Sequence, residues 1–375
     1  MKIAHVVTYS SSDGAFGGPT RVAFAQAKAL ADKGHDVTVY AGSPRDEVVD
    51  AAQDGYRLRT FPVRRLAPFG GFATLWPDGM RRVLARDLAS TDVAHIHLAR
   101  DMTTLPAAVL AGARGVPYVV QTHGMVDASD RLLAKVLDLA ATRRVLRRAR
   151  AWLVLTDDER SDLSALARSE RVVAIANGVE PAPMPAYDGR PDEVVFLARL
   201  HERKRPLVFV EMARALSERL PTTTFRIFGP DEGEGEKVTA AIAASGMGER
   251  LTWAGALPPA ETAQALAAAR VYVLPSVNEV FPMSILEAFN AGTPVVTTAS
   301  LGIAETCERY DAAIVTDGSA AAMADAVHLI YSSPMRAQEL REGAERYVSS
   351  ELDIAAVAAT LENEYVLATR GGKDG

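Results

Sequence analysis

The chain has 375 residues, 48% apolar and 23% charged, which excludes wholesale disorder and leaves room for two domains with cores of their own. No apolar run reaches the length needed to cross a bilayer. Cys307 is the only cysteine, so no intrachain disulfide can form and a cytoplasmic location is the default.

From the N-terminus, "KIAHVVT" reads as a buried first strand, too short and without the small-residue cleavage site of a signal peptide. The loop "TYSSSDGAFGG" follows, with Gly17 and Gly18 just before a helix led by Pro19 and Thr20. Small residues there let backbone amides approach a phosphate at the positive end of a helix, or simply form a flexible turn. The pattern is not GxGxxG, and no acidic residue is suitably placed after the second strand, so a nicotinamide site is disfavoured. "DVTVYAG", "VAHIHL", "YVVQTH" and "AWLVLT" read as further buried strands, alternating with Ala/Leu-rich stretches at helical spacing. His95 and His97 alternate with apolar neighbours inside a strand and read as structural. Arg100 and Asp101 follow that strand and would meet an acceptor molecule or form a surface ion pair. His123, with Gly124, lies at a strand end in a loop, a position that favours function. "DDE" at 157–159 reads as a helix cap rather than a metal motif, and no His/Cys cluster has metal-ligand spacing.

The proline-rich "NGVEPAPMPAYDGRPDE" reads as an extended linker, and the strand–helix alternation then restarts with "EVVFLARL", "TTFRIFG", "LTWAG", "RVYVLPS" and "TPVVTT". Two such series predict an α/β chain of two Rossmann-like, doubly wound domains with parallel sheets, facing across a cleft, with ligands beyond the carboxyl ends of the strands. The expected division is 1–178, a linker at 179–192, 193–353, and a terminal helical segment 354–375 whose tail "GGKDG" frays.

In the second half Arg199 stands at a strand end and Lys204 five residues on, two cations that suit a diphosphate. Gly229, at the end of "FRIF", and the stretch "LTWAGAL" would flank a nucleobase, while "DEGEGE" reads as a solvated loop. In "NEVFPMSILEAFNAG", Pro282 suits a first helical turn whose amides would cradle phosphate or sugar oxygens. Val280, Phe281 and Met283, beside Pro282, are counted with it as donor-binding residues. Glu279 precedes the helix and Glu287 comes eight residues later, roughly 12 Å away if the helix were continuous. Two carboxylates so placed would grip different parts of one extended ligand, since acceptor-only groups suit sugar hydroxyls. A hydrolytic acid–base pair needs a separation of about 5–9.5 Å. Glu287 is the poorer candidate for a surface residue, because Ile285, Leu286, Ala288 and Phe289 around it are apolar.

Charge divides with the halves: residues 1–177 hold 24 Lys and Arg against 19 Asp and Glu, +5, and the remainder 17 against 28, −11. The basic surplus, in "TRRVLRRARAW" and "PVRRLAPFGGFATLWPDGMRRVLARDL", is a solvated helix face or a surface for anionic lipid or a phosphate-bearing acceptor.

The ordered set "GGPTR", "THG", "NGV", "ARLHERK", "FGP" and "NEVFPMSILEAFNAGTPVV" resembles the retaining nucleotide-sugar glycosyltransferases of the GT-B fold, over nearly the full chain. The resemblance implies a nucleoside diphosphate sugar donor, no cofactor and no metal, and a saccharide or lipid-linked acceptor rather than nucleic acid. By position it implies that Gly17 and Gly18 approach the diphosphate, that Arg199 and Lys204 bind it as leaving group, and that Glu279 holds sugar hydroxyls. Glu287 would take the ribose and His123 would lie beside the sugar near the reacting carbon. Val280 and Pro282 stand where many relatives have glycine. The resemblance further implies that the last helix braces the first domain, and places the work in envelope polysaccharide or glycolipid assembly at the inner membrane face. A nucleotide-sugar epimerase and a non-catalytic sugar-nucleotide sensor are the rival readings.

Overall fold

A computed structural model describes residues 1–11, 17–67, 71–127 and 141–370. Parts of the loop after the first strand (12–16) and of the basic stretch (68–70), together with the tail expected to fray (371–375), lie outside the described residues, as do 128–140. The chain forms two compact units, Met1–Glu180 with Ile354–Gly375, and Pro181–Asp353.

The first unit is built on β1 (Lys2–Tyr9), β2 (Asp36–Ser43), β3 (Asp50–Gln53), β4 (Tyr56–Arg65), β5 (Leu75–Pro77), β6 (Val93–His97), β7 (Tyr118–Gln121), β8 (Ala151–Val154) and β9 (Val172–Ala174). Among the described residues these make one sheet in the order β3-β4-β2-β1-β6-β7-β8-β9, with β5 also against β4. The central strands are buried and mostly apolar because both faces are covered, with His5, His95 and His97 as the exceptions. On one face lie α1 (Gly17–Asp32) and the C-terminal helix (Ile354–Arg370), which bury Ala27, Leu30, Leu361 and Tyr365. On the other lie α2 (Met80–Asp87), α3 (Thr104–Ala113), α4 (Arg143–Arg148) and α5 (Asp157–Leu166), packed around Leu84, Ala108, Leu146 and Trp152. Each large side chain buried this way stabilises the fold by about 1.5–3 kcal/mol.

The expected all-parallel sheet is corrected at its edge, where β3 and β5 run antiparallel to β4. Asp54 and Gly55 both adopt left-handed backbone angles between β3 and β4, so a two-residue hairpin replaces the helical crossover a parallel neighbour would need.

The second unit has a six-stranded parallel sheet: β10 (Glu193–Leu197), β11 (Thr224–Phe228), β12 (Leu251–Trp253), β13 (Val271–Val273), β14 (Val295–Thr298) and β15 (Ala313–Thr316), in the order β12-β11-β10-β13-β14-β15. Its helices are α6 (Pro206–Leu216), α7 (Gly235–Ala244), α8 (Pro259–Ala268), α9 (Met283–Asn290), α10 (Ala304–Tyr310), α11 (Ala320–Ser332) and α12 (Pro334–Tyr347). Phe196, Phe209 and Phe225 pack ring against ring in the core, at 5.7 and 6.4 Å between centroids. Cys307 is buried in α10, and desolvation pushes its thiol up to about 12.

Residues 181–192 carry neither helix nor strand, yet they are pinned to the second unit. The buried Arg190 donates to the carbonyls of Ala269 and Ala291 and to Thr293 Oγ1, and lies over the Tyr187 ring. The chain leaves the first unit beside the point where it returns: Ile354 N donates to Val179 O at 3.0 Å, and a Cβ on Gly178 would stand 2.8 Å from Ile354 Cα. Strand order reverses between β1 and β6 in the first sheet and between β10 and β13 in the second, the places where doubly wound sheets open a crevice.

Candidate functional site

At the reversal point of the second sheet, the loops after β10 and β13 bring Lys204 and Glu279 together. Lys204 ends a single 3-10 turn (Glu202–Lys204) that His201 caps by accepting from Arg203 N. Its Nζ donates to Glu279 Oε1 at 2.5 Å, with the two side chains 16% and 21% exposed. Desolvation lowers the Lys204 pKa, the Glu279 carboxylate opposes that shift, and the cations of Arg199 and Arg203 add to it. Glu279 Oε2 is buried without a hydrogen-bond partner among the described residues.

The loops are knitted to one another. Val277 N donates to Arg203 O at 2.9 Å, the Arg203 guanidinium to Asn278 O, and Gly302 N to Glu279 O at 2.9 Å. Arg205 and Asn278 both hold left-handed backbone angles, an arrangement that costs about 1–3 kcal/mol per non-glycine residue and persists only where surroundings enforce it. Gly229 has φ +147°, and a Cβ there would collide with the Ala198 carbonyl, so the backbones after β10 and β11 meet only because Gly229 lacks one. Trp253 Nε1 donates to Gly229 O at 2.9 Å and extends the contact to β12.

Arg199 is half exposed and paired with both Glu232 oxygens at 2.8 Å. The acidic loop is therefore not merely solvated. Glu232 holds Arg199, and Asp231 accepts from the amides of Gly233 and Gly235.

Pro282 stands one residue before α9, as its N-cap rather than in its first turn, and no side chain caps that turn among the described residues. Tyr272 Oη donates to Ser284 Oγ at 2.7 Å, which fixes the start of α9 to the sheet. Val280, Phe281 and Met283 are partly buried around this entrance, and Glu287 is half-buried between apolar neighbours. Because Glu279 lies in the turn and not on the helix, the continuous-helix spacing from Glu287 does not apply.

In the first unit, Gly17 and Gly18 fall inside α1 rather than ahead of it, and a Cβ on Gly18 would have no neighbour within 4 Å among the described residues. Thr20 Oγ1 ties this turn to Tyr9 O at 2.6 Å. Arg100 and Asp101 do not form a surface ion pair: both are buried and engaged by other residues. Asp101 is buried and accepts from Thr8 Oγ1 at 2.5 Å and from Thr103 N, Thr104 N and Thr104 Oγ1, capping α3; burial raises its pKa. Arg100 is also buried and donates to the side chain and carbonyl of Asp127.

His123, in the loop after β7, has a left-handed φ of 52°. The residue is partly exposed as a whole, but its Nδ1 is buried, and desolvation of the ring brings its pKa down to about 3. Glu159, buried in the first turn of α5, accepts from Thr122 Oγ1, Gly124 N and Leu155 N and holds this loop in place. The cap expected from 157–159 is instead Thr156, whose side chain accepts from Glu159 N. Sequence reasoning missed Glu159 and Arg203. A glutamate two places past exposed aspartates at a helix start was the available signal for the first; nothing local marked the second.

Space also assembles a histidine cluster that linear spacing hides: ligand atoms of His5, His95 and His97 lie within 4.8 Å of one another. The rings suit an ion poorly. His95 and His97 stack at 14°, so their in-plane lone pairs do not converge, and His5 Nδ1 is hydrogen-bonded to His97 Nε2 at 3.2 Å.

Residues 17–178 match the family described as "Glycosyl transferase 4-like domain", and residues 184–347 match "Glycosyl transferases group 1". The 2-deoxystreptamine glucosyltransferase of Streptomyces kanamyceticus is 28% identical over 74% of this chain and 78% of its own. The glycogen synthase of Mycobacterium tuberculosis is 27% identical over 92% and 89%. Among solved structures, HepE of Anabaena in complex with UDP and glucose superposes with a TM-score of 0.75 at 17% identity, covering 97% of this chain and 98% of that one. Sucrose-phosphate synthase of Thermosynechococcus elongatus gives 0.74 at 17% identity, over 99% and 100%. With both halves matched in order and the fold shared from end to end, the chain belongs to the GT-B-fold glycosyltransferases.

Proposed function

We propose that the chain moves a sugar from a nucleoside diphosphate sugar to an acceptor hydroxyl, with retention at the anomeric carbon and without a metal. The observation that carries this reading is the Lys204–Glu279 pair at the second sheet's reversal point, held by loops whose backbones meet at Gly229. Arg199 and Lys204 exchange their carboxylate partners for the diphosphate, neutralise charge on the leaving group, and so take the place of a metal. Glu279, released from Lys204, accepts hydrogen bonds from sugar hydroxyls; Glu287 takes the ribose, and the uncapped start of α9 with Val280, Phe281, Pro282 and Met283 faces donor oxygens. Gly17 and Gly18 approach the diphosphate, and His123 contacts the sugar. The departing phosphate takes the acceptor's proton, so no protein nucleophile is needed. The names of the relatives support sugar transfer as the class, and the HepE complex supports a nucleoside diphosphate sugar as donor. We assign the acceptor to saccharides or lipid-linked saccharides of envelope polysaccharide or glycolipid assembly, with the protein in the cytoplasm at the inner membrane face.

Lys204→Ala and Glu279→Ala should each lower kcat/KM by about 100- to 1,000-fold while the circular dichroism spectrum is unchanged. NMR of the product should show the donor's anomeric configuration, and EDTA should leave the rate intact. Either variant turning over like the wild type, or consumption of donor without acceptor to an isomerised sugar, would refute the assignment.

A further inference from the structure

The first unit contains a chain of hydrogen-bonded rings that the proposed reaction does not otherwise use. β1 places His5 in register with His95, and β6 places His97 two residues on, so all three side chains share one face of the sheet. All three are buried. Tyr365 of the C-terminal helix closes the inner end: its Oη lies 2.7 Å from His95 Nδ1 and 3.3 Å from His5 Nε2. His5 Nδ1 is 3.2 Å from His97 Nε2, and His97 Nδ1 is 2.8 Å from His123 Nε2. His123 Nδ1, at the outer end, is buried and has no hydrogen-bond partner among the described residues.

Proton counting gives the chain a direction. Desolvation keeps the four imidazoles neutral, and a neutral imidazole has one N–H and one bare nitrogen. His5 and His97 each use both nitrogens inside the chain, so the choice made at one end dictates the other. Tyr365 has a single hydrogen to donate. The contact to His95 Nδ1 is the shorter of the two, so it is the one that carries the hydrogen, and His95 then turns an Nε2–H toward the Gln121 side chain, whose hydrogen bond raises the His95 pKa. The longer contact is then a His5 Nε2–H reaching the phenol oxygen. It follows that His5 Nδ1 is bare and accepts from His97 Nε2–H, and that His97 Nδ1 is bare and accepts from His123 Nε2–H. His123 Nδ1 is left with a lone pair. The hydrogen positions are assigned from this network.

We propose that Tyr365, His5 and His97 are positioning residues that lock His123 in its Nε2–H form, so that Nδ1 selects a hydroxyl donor, a sugar hydroxyl rather than a phosphate oxygen. The ligand half of this inference rests on the reading that His123 meets the donor sugar; the tautomer half does not.

The test is long-range 1H–15N correlation NMR of the full chain labelled in histidine, with UDP-glucose and GDP-mannose as probes, each against its bare nucleoside diphosphate. The expected result is an Nε2–H tautomer at His123 and a shift of its Nδ1 resonance by a sugar-bearing probe but not by the diphosphate alone. Tyr365→Phe, which keeps the ring and removes the hydroxyl, should populate the Nδ1–H form and raise the donor KM about tenfold with kcat within about threefold, the size of one neutral hydrogen bond. His97→Asn, whose amide oxygen can stand in for Nδ1, should restore the Nε2–H form that His97→Leu loses. An Nδ1–H or doubly protonated His123 in the wild type overturns the inference. So does a tautomer that Tyr365→Phe leaves unmoved, or stoichiometric zinc binding by His5, His95 and His97. An Nε2–H His123 whose Nδ1 resonance neither sugar nucleotide shifts supports the lock and overturns the ligand half, so the two halves fail separately.

Discussion

Histidine burial makes acid the sensitive direction for this protein. His5, His95, His97 and His123 titrate near 6.5 in an unfolded chain, and the fold lowers all four, His5 and His123 to about 3. A group whose folded pKa is depressed binds more protons when unfolded. Its contribution is therefore complete above about pH 6.5 and is lost as pH falls toward the folded value. Each ring should remove about 1.4 kcal/mol per pH unit in that window, so four together exhaust a typical stability of about 5–15 kcal/mol within a few units. Urea unfolding at pH 7.5, 6.5 and 5.5 measures this, and a midpoint that stays constant would contradict it. The individual residues were unevenly legible in the sequence. Lys204, Glu279 and His123 stand out because they follow strands. Asp101 also follows a strand, but its carboxylate is engaged by Thr8 and the start of α3, which position in sequence does not reveal. The partnership of His5 with His97 and Tyr365 spans 92 and 360 residues, and no window along the chain contains it.

At the level of elements, two of the glycine positions assigned to the donor, Gly229 and Gly18, should behave differently. Gly229→Ala places a Cβ against the Ala198 carbonyl at a backbone angle that L residues rarely adopt, so both stability and nucleotide binding should drop, by more than about 1 kcal/mol in stability. Gly18→Ala meets no neighbour among the described residues and favours the helix, so its melting temperature should not fall while donor affinity does. Differential scanning fluorimetry with and without UDP-glucose separates the two; a Gly229→Ala protein as stable as the wild type would show that the close approach of these loops is dispensable. The core strands were readable because burial on both faces makes them continuous apolar runs. β4 was not, since beside the edge strand β3 it alternates and carries arginines that resemble a surface helix, although the Asp54–Gly55 turn signal precedes it. Short strands such as β9 and β15, of three and four residues, have too little pattern to separate from loops.

For the molecule as a whole, charge suggests where it works. The arginines of α4, Arg143, Arg144, Arg147 and Arg148, are exposed while Val145 and Leu146 are buried, and Arg81 and Arg82 of α2 are exposed as well. No helix among the described residues is long and apolar enough to cross a membrane, so any lipid contact made by these helices is at a surface. Co-sedimentation with vesicles containing anionic lipid should be strong at low salt and weak at about 0.5 M, where screening shortens the reach of each charge to a few ångströms. Binding that ignores salt, or none at low salt, would remove the membrane from the proposal. The adjacency of Val179 and Ile354 has one more implication, for the gene. The second unit is nested in sequence inside the first, like a cassette between two neighbouring ends. Excising 181–353 and bridging the cut with a few flexible residues would leave every ring of the histidine chain encoded in one short polypeptide.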